Sequence, residues 1–148
     1  MRLKWSAILV AAVADWLLGA IWFKVFATQW MAGIRMPADQ MQANMAHPNF
    51  WPFLVAFVSS LVMAFVIARV VAASETHGLF RGIMAGVLVG LAACAAMVTE
   101  AVFEIRPGSF VLISAGYPLL GSILMGIIIG AWRHKAVPDV RPAATVKR

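Results

Sequence analysis

Four long apolar segments dominate the sequence and decide what kind of fold it can adopt. About 20 residues of helix, rising 1.5 Å per residue, cross the roughly 30 Å hydrocarbon core of a bilayer. The segments that meet this length are residues 5–26, 51–73, 82–104 and 110–132. Because 63% of the 148 residues are hydrophobic and only 12% are charged, a soluble fold of this length could not bury its apolar side chains. The sequence therefore predicts an all-α integral membrane protein, a bundle of four transmembrane helices.

The remaining residues are expected to form one outer loop and one tail. Residues 1–132 would make a single transmembrane domain in which residues 27–50 form the outer loop. Within that loop, Pro37 to Ala46 is typical of a short amphipathic helix lying on the membrane surface, since Pro37 suits a first helical turn. Residues 133–148 are basic and contain prolines, and they are expected to be a disordered cytoplasmic tail.

The basic residues cluster at the ends of the apolar segments and indicate an orientation. If all four segments span, most of the Lys and Arg residues lie on the side that holds both termini, and only Lys24, Arg35 and Arg106 lie on the other. The positive-inside rule then places both termini in the cytoplasm, with the protein in the bacterial inner membrane. Because topology explains the net charge of +6, we do not expect a nucleic acid partner; the lipid bilayer is the expected one.

The first apolar segment also has features of a short signal peptide, with Ala-Val-Ala ending at Ala14. Its apolar run continues to Phe26 across Asp15, so we expect a membrane helix that is not cleaved. The single cysteine, Cys94, excludes an intrachain disulfide and a cysteine metal cluster.

Small residues recur every fourth position on three of the predicted helices. Such stripes let helix backbones approach closely, and they favour contact with another helix over contact with lipid. The stripes on the third and fourth helices are expected to meet each other or a second subunit, and their extent predicts a homo-oligomer. The helix-packing positions are Ala7, Ala11 and Gly19 on the first helix, Gly82, Gly86 and Gly90 on the third, and Ser122, Gly126 and Gly130 on the fourth. Asp15 lies on the same stripe as the first group, and Ser114 and Pro118 begin the stripe of the third group.

Asp15 is the acidic residue predicted nearest the middle of the bilayer. Polar groups of the other helices lie at similar predicted depths, about 10 to 16 Å below the outer surface at 1.5 Å per residue. These groups are Ser59, Ser60, Cys94 and Tyr117. An aspartate at mid-bilayer costs about 3 kcal/mol on insertion scales, so it should face protein or water. The functional interpretation is a site that handles protons or cations. The alternative is a protonated Asp15 that is hydrogen-bonded to Tyr117 or a serine and only pins helices together.

A second polar group is predicted near the outer surface. Glu100 and Glu104 share one helix face and repel each other unless a cation intervenes, and Lys24 and Arg106 are the cations available. The structural interpretation is a salt-bridge cluster that pins the hairpin to the first helix. The functional interpretation is an acidic mouth that attracts cations towards Asp15.

No enzyme, cofactor or metal site is predicted. The motifs of zinc proteases, phosphate-binding loops and serine hydrolases are not present in the sequence. The outer loop contains potential Cu(I) ligands, but methionines on an amphipathic segment more often face lipid or core. These residues are Met31, Met36, Met41, Met45 and His47.

Several short motifs resemble the bacterial membrane family known as domain of unknown function 1761. They are Leu18-Gly-Ala-Ile-Trp22 with Trp30-Met31, Phe103-Glu104 followed by Arg106-Pro107, Leu112-Ile113 and Ala115-Gly-Tyr117, and Met125-Gly126 to Gly130-Ala-Trp132. The resemblance covers most of residues 5–132 and implies a small four-helix membrane protein, with no activity attached. Asp15 and Lys24 depart from the pattern of the family.

Two functions remain as hypotheses. One is a proton- or cation-linked transporter or channel-like oligomer that uses Asp15 and the acidic mouth, with a small ion or solute as cargo. The other is a non-catalytic assembly module that docks partner helices through its small-residue stripes.

Overall fold

The computed structural model describes residues 4–46, 49–74 and 78–132, apart from the side chains of Ala38 and Met45. The helices are α1 (Trp5–Val25), α2 (Ala27–Gly33), α3 (Ala38–Ala46), α4 (Trp51–Ala72), α5 (Leu79–Phe103) and α6 (Gly108–Ala131). Four of them, α1, α4, α5 and α6, are long and apolar enough to cross a membrane. The predicted fold class is therefore confirmed, and the protein is a multi-pass α-helical membrane protein. The predicted tail lies outside the described residues.

The closest contact in the bundle joins the backbones of α5 and α6. A Cβ atom at Gly82 would clash with the carbonyl oxygen of Gly126, and one at Gly86 would clash with the carbonyl oxygen of Ser122. The two predicted stripes therefore meet each other within one chain. A homo-oligomer stays a prediction, but these stripes do not supply its interface because they are already occupied.

The helix α1 lies against both α4 and α6. The stripe of α1 that carries Asp15 faces inward as predicted, with Ala7, Ala11 and Gly19 all buried. The indole nitrogen of Trp22 donates a hydrogen bond of 3.0 Å to the carbonyl oxygen of Ile113 and joins α1 to α6. Within the described helices, α1 and α5 are not in contact. The helices α4 and α6 therefore lie between α1 and α5.

A tight turn joins α5 to α6. The amide of Arg106 donates to the carbonyl of Ala101, and the amide of Ile105 donates to that of Val102. This pair of bonds is the Schellman motif, whose left-handed position is usually glycine. Here Ile105 occupies it with a φ of 54°. A left-handed conformation costs an L-residue about 1–2 kcal/mol, so this turn is strained.

The segment between α1 and α4 contains two short helices, although only one was expected. The predicted surface helix is present as α3, which packs on none of the spanning helices. The unexpected helix is α2, which contacts α1 and α6. Gly33 of α2 lies so close to Phe110 that a Cβ atom there would clash with the phenyl ring. In the segment between α1 and α4, α2 therefore packs against the bundle and α3 does not.

We predict that Gly86→Ala destabilises the bundle, because the added methyl group must force α5 away from the Ser122 carbonyl. Overpacking of this kind costs about 1–3 kcal/mol. Gly108→Ala is the matched control, since a Cβ atom at Gly108 meets no atom within 4 Å. Thermal unfolding in detergent should show a lower midpoint for Gly86→Ala alone. Equal midpoints for the two variants would contradict the packing described here.

Candidate functional site

Asp15 lies buried between α1, α4 and α6, with 5% of its surface exposed. The hydroxyl of Ser60 on α4 donates a hydrogen bond of 2.6 Å to Oδ2 of Asp15. The hydroxyl of Tyr117 on α6 donates to the same oxygen over 3.2 Å. The predicted contacts of Asp15 with Tyr117 and a serine are therefore present, and the side chain is turned away from lipid.

Two glycines make room for this arrangement. Oδ1 of Asp15 lies against Gly121 of α6, where a Cβ atom would clash with it. A Cβ atom at Gly19 would lie 2.9 Å from the hydroxyl oxygen of Tyr117. Oδ1 accepts no hydrogen bond from the described residues. One carboxylate oxygen is thus held by two donors, while the other is left for a further partner.

A cleft of about 250 Å³ adjoins the carboxylate. It opens among α4, α5 and α6, and we call it the Asp15 cleft. Its lining comprises Asp15, Ala56, Ser59, Ser60, Met63, Ala93, Tyr117, Pro118, Ser122 and Met125. The hydroxyl of Ser122 is fully buried and has no hydrogen-bond partner among the described residues. Ser59 is exposed and lines the cleft without bonding to Asp15. The cleft therefore combines an acid with an unsatisfied hydroxyl.

Cys94 does not belong to this polar group. Its thiol donates to the carbonyl oxygen of Ala115 over 2.8 Å, and it is not among the residues that line the Asp15 cleft. The structure therefore does not bring Cys94 to Asp15. Its depth was similar, but it lies on α5, which does not contact α1.

Glu100 and Glu104 line a second cleft, of about 180 Å³, which we call the acidic cleft. It lies between α5 and α6 near the turn that joins them, and Met97, Ala101, Phe110 and Ser114 complete its lining. The hydroxyl of Ser114 is only 6% exposed as a residue and has no hydrogen-bond partner in the described part of the chain. The two predicted glutamates thus face a common space that also holds a buried hydroxyl.

Arg106 neutralises one of these glutamates, but Lys24 does not take part. The Nε atom of Arg106 pairs with Glu104 over 2.7 Å, and its guanidinium also donates to the carbonyl of Gly33 over 3.0 Å. Lys24 is exposed and forms no ion pair among the residues described, because α1 and α5 are apart. The hairpin is pinned to α2 instead, and Arg35 assists by donating to the carbonyl of Ile105.

The two clefts follow one face of α6. Ser114 lines the acidic cleft, whereas Pro118 and Ser122 line the Asp15 cleft. These residues are spaced four apart, and each step rises about 6 Å along a helix. Pro118 has no backbone N–H, so the carbonyl of Ser114 lacks its usual donor one turn later. About one helical turn therefore separates the clefts, and that turn carries a freed carbonyl.

The outer methionines are partly brought together. Met31, Met36 and Met41 line one pocket with Trp30, Ile34 and Asn44. The side chain of Met45 and the whole of His47 lie outside the described residues. Among the residues described, no group of three His, Cys, Asp or Glu side chains is placed to hold a metal ion.

The model of a protein family of unknown function, DUF1761, matches residues 6–130. The chain belongs to this family. Comparison with curated proteins and with solved structures finds no match. The membership agrees with the resemblance seen in the sequence, and it attaches no activity to the site.

Sequence reasoning missed three residues that shape the site in this DUF1761 protein. Gly121 receives the Asp15 carboxylate, but it lies outside the stripe of small residues that the spacing of four selects. Ser114 and Ser122 were noted only as packing residues, and nothing in their spacing shows that their hydroxyls lack partners. A helical projection that placed Gly121 beside Tyr117 would have found the first.

We predict that Ser60→Ala destabilises the protein by about 1 kcal/mol, because Asp15 loses its shortest hydrogen bond. Ser59→Ala is the matched control: Ser59 is the adjacent residue, is exposed, and should stay within about 0.5 kcal/mol. Denaturation in mixed micelles would measure both. Equal effects of the two variants would show that the Ser60 contact is not formed.

Proposed function

We propose that this DUF1761 protein transports a small cation across the bacterial inner membrane in a proton-linked manner. Asp15 is proposed to bind the proton, and Glu100 and Glu104 to receive the cation at the outer surface. The observation that carries the proposal is the alignment of the Asp15 cleft and the acidic cleft on one face of α6. The proposed role is transport, not enzymatic catalysis.

The energetic cost of Asp15 supports a functional role over a purely structural one. An aspartate at mid-bilayer costs about 3 kcal/mol on insertion scales. Side-chain hydrogen bonds inside membrane proteins contribute about 0.6 kcal/mol each on average. Two such bonds, from Ser60 and Tyr117, do not offset that cost. An apolar residue would stabilise this position better, so the carboxylate is better explained by chemistry than by packing.

The groups around Asp15 suit reversible proton uptake. Oδ2 is held by two hydroxyl donors, which keep the carboxylate oriented in both protonation states. Oδ1 has no donor among the described residues, so a proton bound there displaces neither hydroxyl. Ser122, whose buried hydroxyl has no partner among the described residues, lines the same cleft. Asp15 is therefore proposed as the proton acceptor.

The alternative, an assembly module that docks partner helices through glycine stripes, has less support. The stripes of α5 and α6 are in backbone contact with each other, and the stripe of α1 is buried. A partner helix would have to displace these contacts before it could use the stripes.

We propose that both termini face the cytoplasm, on the basis of the charge asymmetry. In spheroplasts carrying Cys94→Ala, a membrane-impermeant maleimide should label Gln42→Cys on α3. It should label Ser74→Cys, in the turn after α4, only after lysis. Both positions lie outside the spanning helices and in the described residues. The reverse pattern of labelling would invert the orientation.

We predict that Asp15→Asn abolishes proton flux, because the amide keeps the size and a hydrogen-bonding oxygen but cannot bind a proton near neutral pH. Purified protein in liposomes with an internal pH dye would be driven by an imposed membrane potential, in separate runs with a gradient of K⁺ and of methylammonium as the transported cation. Flux for Asp15→Asn should fall to the level of protein-free liposomes. Asp39→Asn on exposed α3 is the matched control and should behave as wild type. If wild-type protein gave no flux above empty liposomes, or if Asp15→Asn kept it, the proposed function would be wrong.

A further inference from the structure

The acidic cleft contains a buried hydroxyl as well as two carboxylates. Its lining combines Glu100 and Glu104 with the buried hydroxyl of Ser114 and with three apolar side chains, Met97, Ala101 and Phe110. A buried hydroxyl without a partner is costly, typically about 1–3 kcal/mol, so it indicates a missing hydrogen-bonding group. The Ser114 hydroxyl has no partner among the described residues, and Ser114 lines the cleft that the glutamates border.

We infer that the acidic cleft between α5 and α6 binds a small primary ammonium ion, the protonated form of an organic amine. The inference deepens the proposed function by naming the class of cation that the outer site receives. Glu100 would supply the opposing charge, Ser114 would accept one ammonium N–H, and the apolar side chains would contact the carbon chain of the amine.

The local charge fits a monovalent cation. Glu104 is paired with Arg106 over 2.7 Å, and the guanidinium also lies 5.3 Å from the centre of the Phe110 ring. Glu100 forms no ion pair among the described residues. Counting only the carboxylates that line the cleft and their ion-pair partners, two carboxylates and one guanidinium leave one negative charge, because Arg35 bonds to the Ile105 carbonyl and to neither carboxylate. A cation with a single charge balances it.

The ligand atoms disfavour a metal ion. Calcium and magnesium are hard cations that bind oxygen ligands. Calcium takes six to eight of them, and magnesium requires near-ideal octahedral geometry. The cleft offers the oxygens of Glu100, the oxygen of Glu104 that Arg106 leaves free, and the hydroxyl of Ser114. The rest of its lining is apolar and suits carbon atoms better than metal-bound water.

The volume of the cleft and the Ser114 hydroxyl together favour a primary ammonium ion over a quaternary one. A volume of about 180 Å³ matches about six waters at roughly 30 Å³ each, which a short-chain amine can replace. A quaternary ammonium has no N–H group and leaves Ser114 without a partner. A primary ammonium has three donors, so it can bond to the carboxylate and the hydroxyl at once.

Calorimetric titration of purified protein in detergent, with butylammonium as the probe, tests the inference. Wild-type protein should bind butylammonium about tenfold or more tightly than tetramethylammonium, since only the primary ammonium can donate charge-assisted hydrogen bonds in the cleft. Glu100→Gln should weaken butylammonium binding by about tenfold or more, and Ser114→Ala by about fivefold or more. Neither change should unfold the protein, because Glu100 is exposed and the Ser114 hydroxyl loses no partner.

Asp15→Asn separates this inference from the proposed function, because Asp15 does not line the acidic cleft. It should bind butylammonium as wild type does while losing proton flux. Equal binding of butylammonium and tetramethylammonium, or binding unaffected by Glu100→Gln, would overturn the ammonium site and leave the flux result standing. Binding that follows the expected order without any wild-type flux would instead support the site and overturn the transport proposal.

Discussion

The backbone contact between α5 and α6 is the interaction on which the rest of the bundle depends. Inside lipid, burying apolar side chains gives helices no advantage over lipid tails, so close van der Waals packing has to hold them together. Gly82 and Gly86 meet Gly126 and Ser122 with no side chain between the backbones. This contact fixes the face of α6 that carries Ser114, Pro118 and Ser122. The positions of both clefts follow from it.

The site near Asp15 depends on a second set of close approaches, at the neighbouring position Gly121 of α6. Gly121 and Gly19 leave the space in which the carboxylate and the Tyr117 hydroxyl meet. Because Ser60 reaches the same oxygen from α4, three helices converge on one carboxylate. This carboxylate therefore links α1, α4 and α6 at one point, beside the cleft.

The architecture could be predicted from the sequence because it depends on length and composition. Segment 82–104, for example, is apolar over enough residues to cross a bilayer, and the described helix α5 differs from it only at its ends. Heights within the membrane were predictable for the same reason: Asp15, Ser60 and Tyr117 lie at similar depths and do meet.

Which helices are neighbours could not be predicted in this way. Counting residues gives a depth but no direction around the helix axis. Cys94 matches the depth of Asp15 but bonds to Ala115, and Lys24 matches the outer height of Glu104 but is separated from it because α1 and α5 do not touch. Ser59 and Ser60 are adjacent in sequence, yet only Ser60 points at the carboxylate. These differences depend on tertiary packing.

The Pro118 turn of α6 is where the two halves of the proposed mechanism meet. Pro118 removes one hydrogen bond from the helix, and kinks in helices concentrate at such positions. Neighbouring helices support this turn from both sides, because Trp22 of α1 donates to the carbonyl of Ile113 and Cys94 of α5 donates to that of Ala115. Ser114 borders the acidic cleft and Pro118 borders the Asp15 cleft. In the proposed mechanism, a change in the bend of α6 at this turn would alter both clefts at once and so couple the proton to the cation.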